Sequence, residues 1–459
     1  MTSTTRTPTI LIIGKDARTD ALLAACSQSP QRPRLFGLAE MLIPGWARKC
    51  EEVFTGSLVD VDLVVQIAKH VRPDLVIIGP EEPLAAGYVD ALTSCGYPVF
   101  GPSKTLARIE SSKSWARELV DRYNISGNPE YRVFDTMRDV QRYMEDLGEF
   151  VLKPDGLTGG KGVQVFGEHL HSIEEALAYA AAVLDREHKV QIEERLEGEE
   201  FSLQTITDGE TVIHCPLVQD HKRAFEGDSG PNTGGMGSYS FADFSLPFLE
   251  EADIKEAHSI NERVIEALYR ETGEAYKGVL YGGFMATNRG LRLIEYNARF
   301  GDPEALNVLP LLDADFVELC MATAGGELAR VDYAFQRRAT VCKYVVPAAY
   351  PQGSPSGVRI ESRSGDTLNG DLRWFWAACM EDGDGVALTS SRSGAFVGIG
   401  DSVADAYAVA ERAAVELEQR NIGKIRHRPD VGRSDIIAKR IAHMDSLRAV
   451  STPTGASPR

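Results

Sequence analysis

The sequence lacks the features of a membrane protein. In 459 residues there is no apolar run of about 18 residues, the length a helix needs to cross a bilayer. Residues 1–8 are polar and contain no apolar signal-peptide core. Hydrophobic residues make up 43% and charged residues 25%, as in ordinary globular proteins. We therefore expect a cytoplasmic protein of about three domains that has no membrane partner.

Paired cysteines and excess positive charge are also missing. The seven cysteines are far apart and form no C-x-x-C pair, so neither a disulfide framework nor a zinc ribbon is indicated, and we expect buried thiols. Acidic residues number 67 and basic residues 49, a formal charge of -18. Such a surface repels phosphate backbones, so nucleic acid is not an expected partner.

The order of apolar segments predicts an α/β protein. Short apolar runs at 10–13, 75–78 and 98–100 are separated by helix-length segments, which indicates a parallel sheet with both faces covered. Ligands gather at the carboxyl ends of such strands, here at the loops that begin at Gly14 and Gly79. A middle block of strands and helices follows, and after about residue 330 the chain changes to short β segments and one amphipathic helix.

A glycine-rich connection lies in the middle block. Lys153 ends a predicted strand, and Gly159, Gly160, Lys161 and Gly162 precede the next one. Glycines let backbone N–H groups approach phosphate oxygens, and the lysines supply positive charge. The Walker A pattern is absent. From these residues alone, a β-hairpin with a flexible tip remains equally open.

Two carboxylates follow on the next pair of strands. Glu193 and Glu200 are seven residues apart across a turn and could flank a nucleotide, one near the adenine amino group and one at the ribose hydroxyls. The alternative is a solvated acidic turn.

The segment 291–304 indicates a cation site. Glu295 and Asn297 alternate on a predicted strand, so both point the same way and offer two oxygens to a hard cation, Mg²⁺ or Mn²⁺. Arg299 continues that face and can bind a carboxylate or a phosphate. The string Arg-Phe-Gly-Asp-Pro-Glu that follows adds a turn and charges.

A second glycine-rich loop begins at Asp220. Residues 220–223 read Asp-His-Lys-Arg and residues 230–237 read Gly-Pro-Asn-Thr-Gly-Gly-Met-Gly. Long loops of this kind in compact domains are functional or disordered, and the apolar flanks argue against disorder.

These strings together resemble the phosphoribosylamine–glycine ligase family of the ATP-grasp superfamily. The resemblance runs in order from about residue 10 to 432 and also includes Gly79 to Gly87 and Ser112-Lys113. It implies an ATP-grasp fold with an N-terminal parallel-sheet domain (1–104), an ATP-grasp domain (105–328, lid about 125–195), a C-terminal mixed α+β domain (329–440) and a tail (441–459). It also implies an ADP-forming ligase that joins an amino acid to an amine through an acyl phosphate, as a monomer or homodimer.

The resemblance assigns roles to individual residues. It implies catalytic roles for Arg299, Lys153 and Asp220, and Mg²⁺ or Mn²⁺ ligands at Glu295 and Asn297. The residues implied for ATP are Lys113, Lys153, Gly159, Gly160, Lys161, Gly162, Glu193 and Glu200. Those implied for the other substrates are Gly14, Arg18, Glu81, Asn232, Thr233, Gly234, Gly235, Arg299, Gly301 and Asp302.

The first loop departs from the family pattern. Where the family has Gly-Ser-Gly-Gly-Arg-Glu-His-Ala, thought to hold a 5′-phosphate, this chain has Gly-Lys-Asp-Ala-Arg-Thr-Asp-Ala at 14–21. If Asp16 and Asp20 face that phosphate, they repel it. Phe241 and Ala305-Leu306 also replace family residues. The interpretation favoured by these changes is an altered amine in specialised metabolism. A genuine purine-pathway ligase and a catalytically silent nucleotide-binding regulator stay open.

Overall fold

A computed structural model of the chain describes residues 6–157, 162–353, 357–361, 370–383 and 385–451. Gly159, Gly160 and Lys161 of the expected phosphate loop lie outside the described residues. The family resemblance predicted an ATP-grasp fold flanked by a parallel-sheet domain and a mixed domain, and the observed architecture has these parts.

The N-terminal unit is a five-stranded parallel sheet in the order β3-β2-β1-β4-β5. Alternate residues of the fully buried first strand face two different cores, Ile10 and Ile12 one and Leu11 and Ile13 the other, which is why its sequence is continuously apolar. Its strands are β1 Thr9–Ile13, β2 Arg34–Ala39, β3 Glu52–Thr55, β4 Leu75–Ile78 and β5 Val99–Phe100, and its helices are α1 Ala17–Ser27, α2 Trp46–Lys49, α3 Val61–Val71, α4 Glu81–Ala86 and α5 Tyr88–Ser94.

The segment predicted to be the lid follows, and it has a core of its own. Its antiparallel sheet has the order β6-β9-β7-β8, and two helices pack against it around Phe150, Leu152 and Ile192. The short helices α6 Arg108–Ser111 and α7 Lys113–Arg122 lead into it, and its elements are β6 Tyr131–Phe134, α8 Val140–Leu147, β7 Phe150–Pro154, β8 Gln164–Val165, α9 Ile173–Glu187 and β9 Val190–Glu194.

The central sheet is antiparallel, in the order β11-β10-β16-β17, and the long helix α10 packs on it. Its strands and covering helices are β10 Glu199–Thr207, β11 Val212–His214, α10 Glu251–Thr272, β16 Gly278–Thr287, β17 Gly290–Asn297, α11 Glu304–Val308 and α12 Phe316–Gly325. Short strands surround the glycine-rich loop and the end of this block: β12 Gln219–Asp220, β13 Arg223–Phe225, β14 Ser229–Asn232, β15 Gly237–Ser240 and β18 Leu312–Asp313.

The C-terminal sheet takes two of its strands from the middle block. Its order is β12-β15-β20-β25-β22, so strands on both sides of the glycine-rich loop belong to it. The elements after residue 330 are β19 Ala334–Phe335, β20 Ala339–Pro347, β21 Arg359–Glu361, β22 Leu372–Trp376, β23 Cys379–Asp382, β24 Gly385–Leu388, β25 Gly394–Gly400, α13 Val403–Arg420, β26 Ile425–Arg426 and α14 Ser434–Ser451.

Helix α14 corrects the expectation of a tail from 441 onward, because residues 441–451 form its second half. Met444 is fully buried, and Arg448 forms a 2.6 Å ion pair with Asp253 at the start of α10. These contacts extend over a long sequence separation, so the local pattern of residues did not reveal them.

Two of the sequence-based expectations concern the burial of the cysteines and the presence of membrane-spanning helices. Six cysteines are buried, as expected, but Cys95 at the end of α5 is exposed. None of the helices in the described ranges combines the length and apolar character that a membrane crossing requires.

Candidate active site

The lid lysine is held by a buried carboxylate. Lys153 Nζ on β7 lies 2.6 Å from Glu193 Oε2 on the adjacent β9 and 3.3 Å from the carbonyl oxygen of Ile294 on β17. Arg117 of α7 donates to the other Glu193 oxygen at 2.8 Å. Burial alone would raise the pKa of Glu193, but Arg117 and Lys153 lower it to about 2. The ionised carboxylate therefore anchors Lys153 between the lid and β17.

Lys113 stands at the start of α7, beside the glycine-rich connection. Its Nζ donates to the carbonyl oxygen of Gly156 at 2.8 Å, and the Asp155 carboxylate accepts from the Ser114 backbone N–H at 2.7 Å. At the far end of the connection, the Tyr179 hydroxyl donates to the Gly162 carbonyl oxygen at 2.6 Å. The connection is thus held at both of its described ends.

Glu295 and Asn297 lie near the end of β17 with the spacing that the sequence predicted. Burial alone would raise the pKa of Glu295, but Lys222 and Lys113 lower it, so the carboxylate is held ionised. Within the described ranges no cluster of three or more His, Cys, Asp or Glu side chains could hold a metal. Two protein oxygens, one of them charged, fit Mg²⁺ completed by phosphate and water oxygens.

Arg299 follows β17 and links it to α4 of the N-terminal unit and to α6. Its Nε lies 3.1 Å from Glu81 Oε2 at the start of α4, and one of its terminal nitrogens lies 2.8 Å from Glu110 Oε1 on α6. Glu110 also accepts from the Ala298 N–H at 2.7 Å, and its burial raises its pKa to about 7. Glu110 could not be identified from the sequence, because nothing in its local pattern distinguishes it from an ordinary helical glutamate.

The first loop is closed by its own carboxylate. Asp16 caps α1 by accepting from the Thr19 N–H at 2.9 Å, and it forms an ion pair with Arg18. Burial alone would raise the pKa of Asp16, but Arg18 lowers it to about 2. Arg18 also donates to the Phe300 carbonyl oxygen at 2.7 Å. Arg18 thus brings this loop to the end of β17, and Gly14 is at its base.

The Asp20 carboxylate does not lie with Asp16 and Arg18. This corrects the expectation that both aspartates face one phosphate. It is fully buried, and its carboxylate accepts from Trp46 Nε1 at 3.1 Å, Lys49 Nζ at 3.4 Å and the Trp376 backbone N–H at 2.9 Å. Asp20 therefore joins the N-terminal unit to β22. The changed pair Ala305-Leu306 is likewise fully buried in a core.

The glycine-rich loop folds back on its own base. Thr233 donates to the Lys222 carbonyl oxygen from both its N–H, at 2.7 Å, and its hydroxyl, at 2.9 Å. Lys222 Nζ lies 3.2 Å from Glu200 Oε2, which brings this loop to the predicted nucleotide carboxylate. Asn232 ends β14, within the same loop.

Asp220 and Gly235 lie where this loop meets the turn after β17. Gly235 has φ +107, and a Cβ there would lie 2.6 Å from Pro303 Cδ and 2.7 Å from Asp220 Oδ1, so only glycine fits. Burial and the nearby Glu304 raise the pKa of Asp220 well above its usual range. Its buried Oδ1 has no hydrogen-bond partner among the described residues, so it can accept a proton or a cationic group.

The turn after β17 is held from two sides. The Gly301 N–H donates to Gln204 at 2.8 Å, and Asp302 lies 2.8 Å from Arg392, a residue of the C-terminal unit. Arg117 and Arg392 were not identified from the sequence, because their partners lie far away along the chain.

Two models of one protein family match adjoining parts of the chain. Residues 8–110 match the phosphoribosylglycinamide synthetase N domain, and residues 111–305 match the ATP-grasp (A) domain of the same synthetase. The chain belongs to this family. The predicted family is confirmed, and with it an ATP-grasp carbon–nitrogen ligase whose cofactors are ATP and Mg²⁺.

Similar proteins cover nearly the whole synthetase chain. A phosphoribosylamine–glycine ligase of Methanocella arvoryzae is 44% identical over 96% of this chain and 99% of its own, and one of Methanosarcina barkeri is 43% identical over the same shares. The crystal structure of the Thermotoga maritima phosphoribosylamine–glycine ligase has a TM-score of 0.74 at 25% identity, covering 92% of this chain and 99% of that one. These relatives do not support the altered amine that the first loop suggested.

A more distant structure shares only the fold. The biotin carboxylase domain of a Hydrogenobacter thermophilus 2-oxoglutarate carboxylase has a TM-score of 0.70 at 14% identity, over 98% of this chain and 99% of that one. The ATP-grasp architecture is therefore common to synthetases and carboxylases with different substrates.

Proposed function

We propose that this synthetase is a phosphoribosylamine–glycine ligase of purine biosynthesis, acting in the cytoplasm on small-molecule substrates. The observation that carries the proposal is the placement of Glu295, Asn297 and Arg299 at the end of β17, between Lys153 of the lid and Arg18 of the first loop. Phosphoryl transfer requires positive charge beside the ATP phosphates, and we place those phosphates on the lid side. The acid and the amine are then assigned to the side of the first loop.

The proposed reaction has two steps. A glycine carboxylate oxygen attacks the γ-phosphorus of ATP, which breaks the bond to the β-phosphate oxygen and forms an acyl phosphate and ADP. The amine of phosphoribosylamine then attacks the acyl carbon, phosphate leaves, and the proton that the amine releases passes to the departing phosphate or to solvent. Mg²⁺ bound by Glu295 and Asn297 supplies neutralisation of phosphate charge.

The protein side chains have separate tasks in this scheme. Lys153 and Lys113 bind phosphate oxygens, and Glu193 keeps Lys153 in place through the 2.6 Å ion pair. Glu200, already in contact with Lys222, is assigned to the ribose hydroxyls. Gly162, at the described end of the glycine-rich connection, is assigned to the phosphates of ATP.

The acid is assigned to the pocket formed by the glycine-rich loop and the turn after β17. Arg299 neutralises the glycine carboxylate or the acyl phosphate. Asp220, whose Oδ1 is buried without a partner among the described residues, accepts a hydrogen bond from an ammonium group or takes its proton. Asn232 to Gly235 and Gly301-Asp302 shape the pocket around these two groups.

The amine is assigned to the first loop and Glu81. Asp16 is already neutralised by Arg18, so it presents less negative charge to a phosphate than its sequence position suggests. Lys15, half-buried, is the further cation of this loop, but Glu82 at 2.9 Å and Glu40 at 3.3 Å offset its charge. Since Asp20 is buried against Trp376, the repulsion that argued for an unphosphorylated amine is largely removed.

The test is a comparison of two amines. Purified protein is given ATP, Mg²⁺ and glycine with either phosphoribosylamine or ribosylamine, and ADP, AMP and the amide product are measured. We expect ADP, phosphate and glycinamide ribonucleotide, with kcat/KM at least about 10²-fold higher for the phosphorylated amine, since loss of a charged contact costs a few kcal/mol. A preference for ribosylamine, or release of AMP, would contradict the proposal. Glu295→Gln is the control for background hydrolysis.

A further inference from the structure

The glycine-rich loop of the proposed glycine pocket is mounted on the C-terminal sheet. It runs between β12 and β15, and both strands are part of that sheet. The pairing of Gly237 with Lys343 continues through four residue pairs of β15 and β20. Any movement of the C-terminal unit relative to β17 therefore moves this loop relative to the turn at 301–304.

The side chain of Arg392 lies between the glycine-rich loop and the turn at 301–304 and contacts both. A single terminal nitrogen of Arg392 donates to the carbonyl oxygens of Gly234, at 2.7 Å, and Gly235, at 3.0 Å, and to that of Asp302 at 3.1 Å. The other terminal nitrogen lies 2.8 Å from the Asp302 carboxylate. Its partners thus come from two different loops of the proposed pocket, two carbonyl groups from one and the carbonyl and carboxylate of Asp302 from the other.

The backbone and the guanidinium of Arg392 are also held by contacts outside the two loops. Its carbonyl oxygen accepts from the Ala378 N–H at 3.1 Å, and its guanidinium carbon lies 4.2 Å from the centre of the Tyr344 ring. The Tyr344 hydroxyl donates to the remaining oxygen of Asp302. The side chains of Arg392 and Asp302 are only 13% and 6% exposed, so water screens their attraction weakly.

We propose that Arg392 is a positioning residue for the glycine pocket. By binding the 234–235 peptides and Asp302 together, it sets the distance between the loop that contains Gly235 and the turn that contains Gly301. A planar guanidinium can serve several acceptors in one plane, whereas an ammonium or an apolar side chain at this position cannot. This inference rests on the proposed function, because it assigns the two loops to glycine.

The kinetic test uses Arg392→Met and Arg392→Lys. We expect Arg392→Met to raise KM for glycine and lower kcat/KM for glycine by about 10²-fold, the cost of a misplacement near 1 Å, with KM for ATP changed by less than about threefold. Arg392→Lys restores a charge beside Asp302 but not the three carbonyl contacts, so it should recover only part of the loss. Equal effects on glycine and ATP, or full activity in Arg392→Lys, would overturn the proposal.

A second measurement does not depend on activity. Hydrogen–deuterium exchange of the free protein should be faster in Arg392→Met than in wild type at residues 230–237 and 300–304, and unchanged in the lid strands β7 and β9. Arg338→Met is the matched control, since Arg338 lies in the same unit and its ion pairs there are with Asp371 and Asp401. Unchanged exchange in both loops would overturn the positioning role. A wild-type protein that forms no ADP from glycine and phosphoribosylamine would instead remove the proposed function.

Discussion

Buried carboxylates on the two sides of the site have different roles. On the lid side Glu193 pairs with Lys153 and Arg117, so its charge organises a side chain that faces ATP in the proposed function. On the other side Asp20, equally buried, bonds to Trp46 and to the Trp376 backbone and connects two structural units. The role of a buried acidic residue therefore depends on partners that its own position in the sequence does not identify.

The largest effect is expected from the proposed metal ligand Glu295. Glu295→Gln keeps the shape of the side chain but removes its charge, and losing this ligand costs several kcal/mol of transition-state stabilisation, about 10³-fold or more in kcat. Circular dichroism and melting temperature should match wild type. Near-normal turnover in a folded variant would place the cation elsewhere.

Glu193→Gln tests the lid half of the comparison. Lys153 and Arg117 lose their common buried counter-charge, and we expect a fall of about 10²-fold in kcat through displacement of Lys153. The pKa of Glu193 is lowered from 4.5 to about 2, so its contribution to stability is fully present above pH 4.5 and is lost as the pH falls towards 2. Melting temperatures of wild type and Glu193→Gln should therefore converge at low pH. Unchanged kcat would mean that the lysine is positioned by other groups.

Asp20→Asn is the matched change on the other half. It removes the charge that Lys49 faces at 3.4 Å and weakens the bond from Trp376, so we expect a loss of about 2 kcal/mol in stability. At a temperature where the variant is folded, KM for phosphoribosylamine should stay within about twofold of wild type. A clear improvement in that KM would show that Asp20 does repel the phosphate.

The smallest effect is expected far from the site. The rings of His214 and His258 stack with their centres 4.1 Å apart, and burial, aided by His214, lowers the pKa of His258 to about 4. The neutral pair should therefore contribute stability that is present above pH 6.5 and declines as the pH falls from there to 4. In His258→Phe the melting temperature should depend less on pH in that range, with kinetics unchanged. An identical pH dependence in the variant and wild type would contradict this assignment.

The elements that the sequence predicted well have local signals. The sequence predicted strands at 150–153, 190–194 and 291–297, and the structure has β7 Phe150–Pro154, β9 Val190–Glu194 and β17 Gly290–Asn297. The assignment of Glu295 and Asn297 as cation ligands, made from their spacing on one strand, stays a prediction. The roles of Asp20, Glu110 and Arg392 could not be predicted in the same way, because each depends on a partner from another unit. The helical nature of 441–451 also depends on packing against distant residues such as Asp253. For such residues the sequence supplies the chemical group but not its partner.

The shared membership of β12 and β15 limits how this protein can be divided. The chain leaves the middle block, adds two strands to the C-terminal sheet and returns before that sheet's other strands have been made. A fragment that stops near residue 330 would present β15 as an unprotected strand edge, open to pairing with another copy. The units therefore cannot be exchanged between relatives as separate modules unless the glycine-rich loop, β12 and β15 are transferred together with the C-terminal sheet.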